Sequence, residues 1–366
     1  MSDMPEEKKK KKKKKKRSWK KVLLIVFLSL LLLVVLVVGG LGIYVNYLLN
    51  QVTVYDPDND ITIAVDEADK LTQEDPELLP IDPDATEDIP DMEDLSIPEE
   101  TVPPVEDSVN WDNVINIMLI GQDRRPGEGR QRSDSMILLT VNKSKKTITL
   151  TSFMRDQYVR IPGYKNNKMN AAYAFGGMKL LNETLETNFG VRVDGDVEVD
   201  FNNFEKLIDM LGGVDITLTK KEANHLNAGY GWNLSSGTQR LNGEQALAYS
   251  RIRKIDSDYR RAERQRNVIS SLINRYKNLP TMDMLGMLDD ILPLVTTNLS
   301  KGEIIDIVVA VAPMMGGAEL NTMRIPLDGT FKQGTARVRP GLAAWFQYNI
   351  DFAANRNALR ELFEEN

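Results

Sequence analysis

The feature that most constrains this chain is the stretch from Val22 to Leu49, which contains no charged residue. A bilayer core requires about 20 consecutive apolar residues, whereas a cleaved signal peptide has an apolar region of only about 7–15. We therefore predict a transmembrane signal-anchor helix over residues 22–48. Residues 1–21 carry twelve Lys or Arg against three Asp or Glu. Because positive charge is retained on the cytoplasmic side, this basic tail predicts a cytoplasmic N-terminus and an extracellular remainder.

The next segment, residues 49–109, is rich in Asp, Glu and Pro. Within it, residues 55–109 carry twenty acidic residues against the single basic residue Lys70. Such a composition predicts a disordered, self-repelling linker that lifts the following domain from the membrane. The lysine run abuts the predicted span, so it serves orientation and we expect no nucleic-acid partner. The folded domain is predicted over residues 110–366.

Two residue types limit the chemistry. The chain has no cysteine, which excludes disulfides, thiol nucleophiles and sites with cysteine ligands. His225 is the only histidine, so clustered-histidine metal sites are excluded as well. Chemistry in this domain must therefore depend on carboxylates, arginine, lysine, hydroxyls and a hard metal ion.

Apolar runs in the domain predict a mixture of strands and helices. The runs Val114–Ile120, Met136–Asn142 and Thr147–Phe153 favour strands, and helices are predicted near 260–277 and 343–364. Strands mixed with helices of this length indicate a layered α/β domain.

The sequence "RIRKIDSDYRRAERQR", from Arg251 to Arg266, holds six arginines in sixteen residues. Arg261, Arg264 and Gln265 share one face of the predicted helix, and this face becomes apolar further along. An inward arginine without an anion would carry a large desolvation penalty. Either nearby carboxylates pair with these arginines in an ion-pair network, or a phosphate does.

Other charged residues stand at predicted strand ends, where α/β folds commonly place ligands. Arg155 follows one strand, Asp123 follows another, and Asp134 precedes a third with Arg132 nearby. Each acid alone is typical of a turn or cap. Together the two carboxylates could hold one Mg²⁺ or Mn²⁺ beside a pyrophosphate, with waters completing the coordination.

Seven sequence blocks then resemble the LytR–CpsA–Psr (LCP) family in order and spacing. They cover residues 114–275 and read "NIMLIGQDRR", "RSDSMILLTVN", "SFMRDQYVRIPGY", "KMNAAYAFGG", "VEVDFNNFEKLIDMLGGV", "LNGEQALAYSRIR" and "DYRRAERQR". The resemblance implies a central twisted mixed sheet flanked by helices, with an apolar tunnel for a polyprenyl chain.

The resemblance also implies a function at the Gram-positive cell membrane. Enzymes of this family transfer a glycopolymer, such as teichoic acid or capsule, from a polyprenyl-pyrophosphate carrier to a peptidoglycan acceptor, forming a phosphodiester and releasing polyprenyl phosphate. Two alternatives stay open. One is a polyprenyl-pyrophosphate phosphatase with water as acceptor, and the other is a non-catalytic, membrane-anchored envelope regulator.

Carried over by position, the resemblance implies roles for particular residues. Its metal ligands fall on Asp123 and Asp134, with Mg²⁺ or Mn²⁺ as the cofactor. The residues implied in binding pyrophosphate are Arg132, Arg155, Arg251, Arg253, Arg261 and Gln265. Among these groups Asp134, Arg155 and Arg261 are expected to be catalytic. Arg260 stands where relatives have glycine, so the sequence leaves open whether Arg260 or Arg261 faces the phosphates.

Overall fold

The computed structural model describes residues 53–54, 62–82, 89–95, 97, 109–122, 130–277, 290–312 and 314–364. All of these belong to one compact unit. None of the helices in this part of the chain is long and apolar enough to cross a membrane. The predicted span, residues 22–48, lies outside the described residues.

The strands vary from two-residue pairings to runs of ten residues, and they are β1 (Thr53–Val54), β2 (Leu79–Pro80), β3 (Val114–Gln122), β4 (Ser133–Asn142), β5 (Thr147–Phe153), β6 (Tyr158–Val159), β7 (Asn167–Lys168), β8 (Gly195–Asp200), β9 (Val214–Leu218), β10 (Gly237–Leu241), β11 (Thr296–Thr297), β12 (Glu319–Ile325), β13 (Lys332–Arg339) and β14 (Leu342–Tyr348). The α-helices in the same part of the chain are α1 (Val65–Gln73), α2 (Met169–Phe189), α3 (Phe201–Met210), α4 (Lys220–Tyr230), α5 (Gly243–Ser250), α6 (Asp258–Tyr276), α7 (Lys301–Val311) and α8 (Phe352–Phe363).

The central sheet has the strand order β1-β11-β8-β3-β4-β5-β12. Strands β3, β4 and β5 pair antiparallel to one another, while β8 runs parallel to β3 and β12 runs parallel to β5. The sheet is therefore mixed, and helices pack on both of its faces. This confirms the predicted α/β fold with a mixed central sheet flanked by helices.

Alternation along β3 and β4 sends apolar side chains to both faces of the sheet. On one face, Met118, Met136 and Leu138 are buried in the main core together with α2 and α8. On the other face, Ile115 and Leu139 lie half-buried in a smaller cluster, which also includes residues near the ends of α6 and α7. One face is thus closed, and the other is only partly covered.

Two smaller units flank this sheet. The antiparallel pair of β9 and β10 packs with helices α3 to α6 around a second apolar cluster. Strands β13, β14 and β2 form a three-stranded antiparallel sheet over a third cluster. Helix α6 belongs to the first of these units and strand β14 to the second, and both lie at one end of the central sheet.

The predicted helix over residues 343–364 is wrong in its first part. Leu342–Tyr348 is the strand β14, in which Trp345 is exposed and its neighbour Phe346 is buried. Trp345 and Phe346 point to opposite faces, as successive side chains of a strand do. The helix α8 begins only at Phe352, and the side chain of Asp351 caps it by accepting a hydrogen bond from the Ala354 N–H at 2.9 Å.

The prediction of a disordered linker over residues 49–109 is wrong for residues 62–82. These residues form helix α1 and then strand β2, which pairs with β14. Ala68 of α1 is buried in the main core, and Asn167 donates a hydrogen bond to Thr72 at 2.8 Å. A few well-placed apolar and polar contacts are sufficient to order this acidic segment, and its average composition concealed them.

Candidate functional site

The site lies at the edge of the central sheet where β4 begins and β5 ends. These strands are antiparallel neighbours with Ile137 opposite Ser152, so Asp134 at the start of β4 and Arg155 just after β5 reach the same edge. The first turns of α6 bring Arg261 to this position. The fold thus joins residues that are more than one hundred positions apart in the sequence.

Arg155 is the most heavily paired cation of the site. Its Nη1 donates to Glu77 Oε1 at 2.9 Å and to Asp134 Oδ1 at 3.2 Å, and its Nε lies 3.6–3.7 Å from Asp156 and Asp258. Burial alone would lower the pKa of Arg155, but the surrounding carboxylates raise it above its ordinary value. Arg155 is therefore held as a fixed positive charge.

Arg253 approaches the same two carboxylates from the loop after α5. Its Nη2 donates to Asp134 Oδ1 at 3.1 Å, and its Nη1 lies 3.6 Å from Glu77 Oε1. The Arg253 side chain is half-exposed, so solvent screens its charge. Asp134 is in this way held between two guanidinium groups.

Arg261 differs from both, because it lacks a strong anionic partner. It is buried, with 4% exposure, and its only ion pair in the described part of the chain is with Asp258 at 3.4 Å. Its Nη1 makes no hydrogen bond there. Burial and the neighbouring charge of Arg155 lower the pKa of Arg261 to about 10. A buried guanidinium in this condition favours binding of an incoming anion.

The structure distinguishes Arg261 from its neighbour Arg260. The Arg260 side chain is exposed and pairs with Glu263 at 2.6 Å on the outer face of α6. Arg261 faces the site and, with Gln265 and Asp134, lines a small cavity at the sheet edge. The sequence left this choice open, and the structure places Arg261 rather than Arg260 in the site.

The other two predicted arginines, Arg132 and Arg251, have partners of their own. Arg132 pairs with Asp75 at 2.6 Å and keeps a buried Nη2 without a hydrogen bond. Arg251 places its guanidinium 4.4 Å above the Phe201 ring. Asp123, predicted as a metal ligand, lies outside the described residues.

The ion-pair alternative holds for other arginines of the cluster. Arg264 is buried and binds both Glu222, at 2.6 Å, and Asp256. Arg266 donates to Ser152 at 2.7 Å. These residues join α6 to its surroundings and have structural roles. Carboxylates in the same stretch therefore neutralise part of the arginine cluster, while Arg261 stays incompletely paired.

Sequence reasoning missed several charged residues of the site. Asp75 and Glu77 come from the segment predicted to be disordered, and Lys168 pairs with Asp156 at 2.9 Å beneath Arg155. Nothing in the acidic run distinguishes Asp75 or Glu77 from their many neighbours. The "RD" pair in "SFMRDQ" was the only available signal for Asp156.

The charged side chains named for the site balance one another. Its side chains comprise five carboxylates and five cations, namely Asp75, Glu77, Asp134, Asp156 and Asp258 with Arg132, Arg155, Arg253, Arg261 and Lys168. Guanidinium groups can bind phosphate oxygens through two parallel hydrogen bonds. A doubly charged anion would therefore meet well-oriented donors, but it would also compete with resident carboxylates.

Comparison with known proteins gives consistent results. Residues 85–343 match the model of the LytR_cpsA_psr family. Regulatory protein MsrR of Staphylococcus aureus (strain Mu50) is 31% identical over 261 residues, which is 70% of this chain and 76% of MsrR. The polyisoprenyl-teichoic acid–peptidoglycan teichoic acid transferase TagU of Bacillus licheniformis is 38% identical over 196 residues, which is 52% of this chain and 62% of TagU.

Solved structures agree with the fold. The structure of TagT bound to LIIa-WTA superimposes with a TM-score of 0.56 at 28% identity, covering 69% of this chain and 91% of TagT. A structure of TagT with bound octaprenyl pyrophosphate lipid gives 0.54 at 25% identity, covering 74% and 98%. The family match spans most of the chain and includes the whole predicted motif region. The chain therefore belongs to the LytR–CpsA–Psr family.

Proposed function

We propose that this chain is a phosphotransferase that moves a glycopolymer from a polyprenyl-pyrophosphate carrier onto peptidoglycan. The observation that carries this proposal is Arg261, a buried guanidinium without a strong anionic partner beside the fixed charge of Arg155. The names of TagU and TagT, transferases of teichoic acid to peptidoglycan, support the same reaction.

The reaction exchanges one phosphate ester bond for another. An acceptor hydroxyl of peptidoglycan attacks the phosphorus that carries the glycan, and the bond from this phosphorus to the bridging oxygen breaks. Polyprenyl phosphate leaves, and the glycan stays linked through a phosphodiester. Negative charge grows on the bridging and non-bridging oxygens, where Arg155, Arg253 and Arg261 stabilise it without reorganising.

The acceptor hydroxyl must also lose its proton. Asp134 lines the small cavity with Arg155 and Arg261, so its carboxylate is our choice for the accepting base. Removing one group that stabilises a transition state commonly costs about 10²–10³ in rate. On this account Asp134→Ala retains donor binding and loses most of the transfer activity.

A divalent cation, Mg²⁺ or Mn²⁺, is part of the proposal. When bound, it would neutralise charge on the pyrophosphate oxygens. The carboxylate of Asp134 is a hard oxygen donor that suits either ion. The described residues contain no group of three acidic side chains placed to hold a metal, and the second expected ligand, Asp123, lies outside them. The metal requirement therefore depends on Asp123 as well as on Asp134.

The carrier's polyprenyl chain requires an apolar surface next to the arginines. The partly covered face of the central sheet supplies Ile115, Leu139 and Leu320 as half-buried side chains, with Ile273 of α6 packed against them. Since α6 also carries Arg261, a lipid tail on this face would leave its pyrophosphate near the guanidinium groups. This arrangement supports the tunnel that the family resemblance implies.

Location follows from the proposed substrate and from the sequence. A polyprenyl carrier is embedded in the cytoplasmic membrane, and the basic tail with its uncharged stretch predicts anchoring there with the domain outside the cell. External protease on intact cells should digest the 110–366 domain. Digestion of the lysine tail alone would mean the reverse orientation.

A transfer assay tests the proposal against both alternatives. The full chain in detergent is supplied with polyprenyl-pyrophosphate-linked glycan and with peptidoglycan. We expect glycan bound to peptidoglycan and equimolar polyprenyl phosphate. Release of free glycan phosphate with or without acceptor would indicate a phosphatase. If neither product forms while the donor still binds, the result would favour a regulator.

A further inference from the structure

The three-stranded sheet of β2, β13 and β14 has two different faces. Phe346 and Ala344 point into the third apolar cluster. Residues of the opposite parity, Trp345 and Gln347 on β14 and Gln333 on β13, line a cavity on the other side. Trp345 is 48% exposed there, which is unusual for so large an apolar side chain. This face is polar and aromatic and does not form part of a core.

The cavity has a volume of about 560 Å³, within the range of small-molecule sites. Its rim combines apolar surface with hydrogen-bonding groups. Leu79 is 62% exposed beside Trp345, and the Tyr259 hydroxyl donates to Gln333 Oε1 at 2.6 Å and accepts from Gln347 Nε2 at 3.2 Å. An aromatic platform next to amides and a hydroxyl matches a pyranose ring, which has an apolar C–H face and a polar edge.

The charged residues around this cavity limit which ligands it can bind. The cations that line this cavity, Arg155 and Lys168, are already paired with Asp156 and Glu77, and Asp258 adds a third carboxylate. The lining carboxylates thus outnumber the cations. An anionic polymer would be repelled by this surface, whereas an uncharged sugar would not.

The cavity adjoins the phosphate site directly. Arg155 and Asp258 line both this cavity and the smaller one formed with Asp134 and Arg261. A sugar on Trp345 would therefore sit next to the reacting phosphorus. Trp345 and Leu79 lie outside the family match of residues 85–343, so this wall is built by segments that the match does not include.

We propose that this cavity binds a neutral N-acetylhexosamine ring of the acceptor glycan, with Trp345 as its stacking platform. The inference rests on the proposed transfer function and specifies where the acceptor enters. A ring held here lies beside Arg155 and Asp258, which also line the phosphate site.

Binding measurements on the full chain in detergent test this assignment. The probe is a tetramer of β-1,4-linked N-acetylglucosamine, titrated into wild type, Trp345→Ala and Trp345→Phe. We expect Trp345→Ala to weaken the affinity by about tenfold, the scale of one aromatic contact. Trp345→Phe should retain most of the affinity. Tyr230→Ala removes a similarly exposed aromatic residue elsewhere, and it should bind the tetramer as wild type does.

Inorganic pyrophosphate, titrated in parallel, separates failure of this inference from failure of the proposed function. Loss of pyrophosphate binding in Arg261→Met, together with unchanged tetramer affinity in Trp345→Ala, would overturn the acceptor cavity alone. Pyrophosphate binding that is independent of Arg261 would overturn the proposed site itself. If Trp345→Ala instead weakens a short-chain polyprenyl-pyrophosphate–N-acetylglucosamine donor and not the tetramer, the cavity holds the donor sugar and the acceptor assignment is wrong.

Discussion

Replacing Arg261 with methionine should stabilise the fold while abolishing transfer. In the folded protein Arg261 is charged and buried and lies near Arg155. Its only ion-pair partner among the described residues is Asp258, at 3.4 Å. Methionine retains much of the aliphatic packing without the charge. The substitution therefore removes an electrostatic cost that only a bound anion would offset.

The size of this stabilisation follows from the pKa of Arg261. A pKa lowered from the ordinary arginine value to about 10 corresponds to a cost of about 3 kcal/mol for keeping the guanidinium charged in the folded state. Arg261 is protonated in both folded and unfolded states at every pH below about 10, so this cost is constant across the physiological range. Because some packing is lost with the side chain, we expect a net gain of about 1–3 kcal/mol.

Thermal unfolding in detergent provides the assay, with Arg264→Met as the matched control. Arg264 is equally buried, but it neutralises Glu222 and Asp256, so its removal should cost about 3–5 kcal/mol. For a domain of this size, each kcal/mol shifts the melting temperature by roughly 2–4 °C. Equal destabilisation by both variants would refute the reasoning, because Arg261 would then be a structural counter-ion.

Three other perturbations follow from the same geometry. The variant Arg155→Lys keeps the positive charge, but lysine cannot bind two phosphate oxygens at once, so kcat should fall by about 10² or more. Near-normal turnover would mean that Arg155 contributes only a diffuse positive field. Glu77→Gln removes a carboxylate that competes for Arg155 and should strengthen inorganic pyrophosphate binding by up to about fivefold, whereas weaker binding would mean that Glu77 orients the arginine. Burial raises the pKa of Asp196 to about 7, although hydrogen bonds from Asn182 and Asn298 oppose this shift. Asp196 therefore keeps its proton in the folded state up to about pH 7, whereas the unfolded state loses this proton near pH 4. Stability should then fall as the pH rises from about 4 to about 7 and stay level above it, and a slope that persists in Asp196→Asn would exclude this group as its source.

Strong local patterns made the central sheet and α6 predictable. Val114–Ile120 and Thr147–Phe153 are short apolar runs with clear ends, and each is a strand in the structure. The arginines and Gln265 on α6 follow a helical period with an apolar continuation. Their spacing predicted that Arg261 would face inward, and it does.

Long-range contacts made other parts unpredictable. Helix α1 is ordered by docking on the main core, and Glu77 meets Arg155 only through the tertiary fold. The strand β14 reads "LAAWFQY", whose alanines and leucine also suit a helix, and pairing with β13 and β2 decides the outcome. The cavity around Trp345 depends on the same pairing, so no local pattern indicated it.

The most direct test of the central claim is mass spectrometry of lipid that co-purifies with the full chain in detergent. The account predicts a polyprenyl pyrophosphate or its glycan-linked form in wild type, and its loss in the double variant Arg155→Lys/Arg261→Met. Transfer in the same preparation should release polyprenyl monophosphate. A wild-type protein without polyprenyl pyrophosphate, or a double variant that retains it in equal amount, would contradict binding of a pyrophosphate carrier by these arginines.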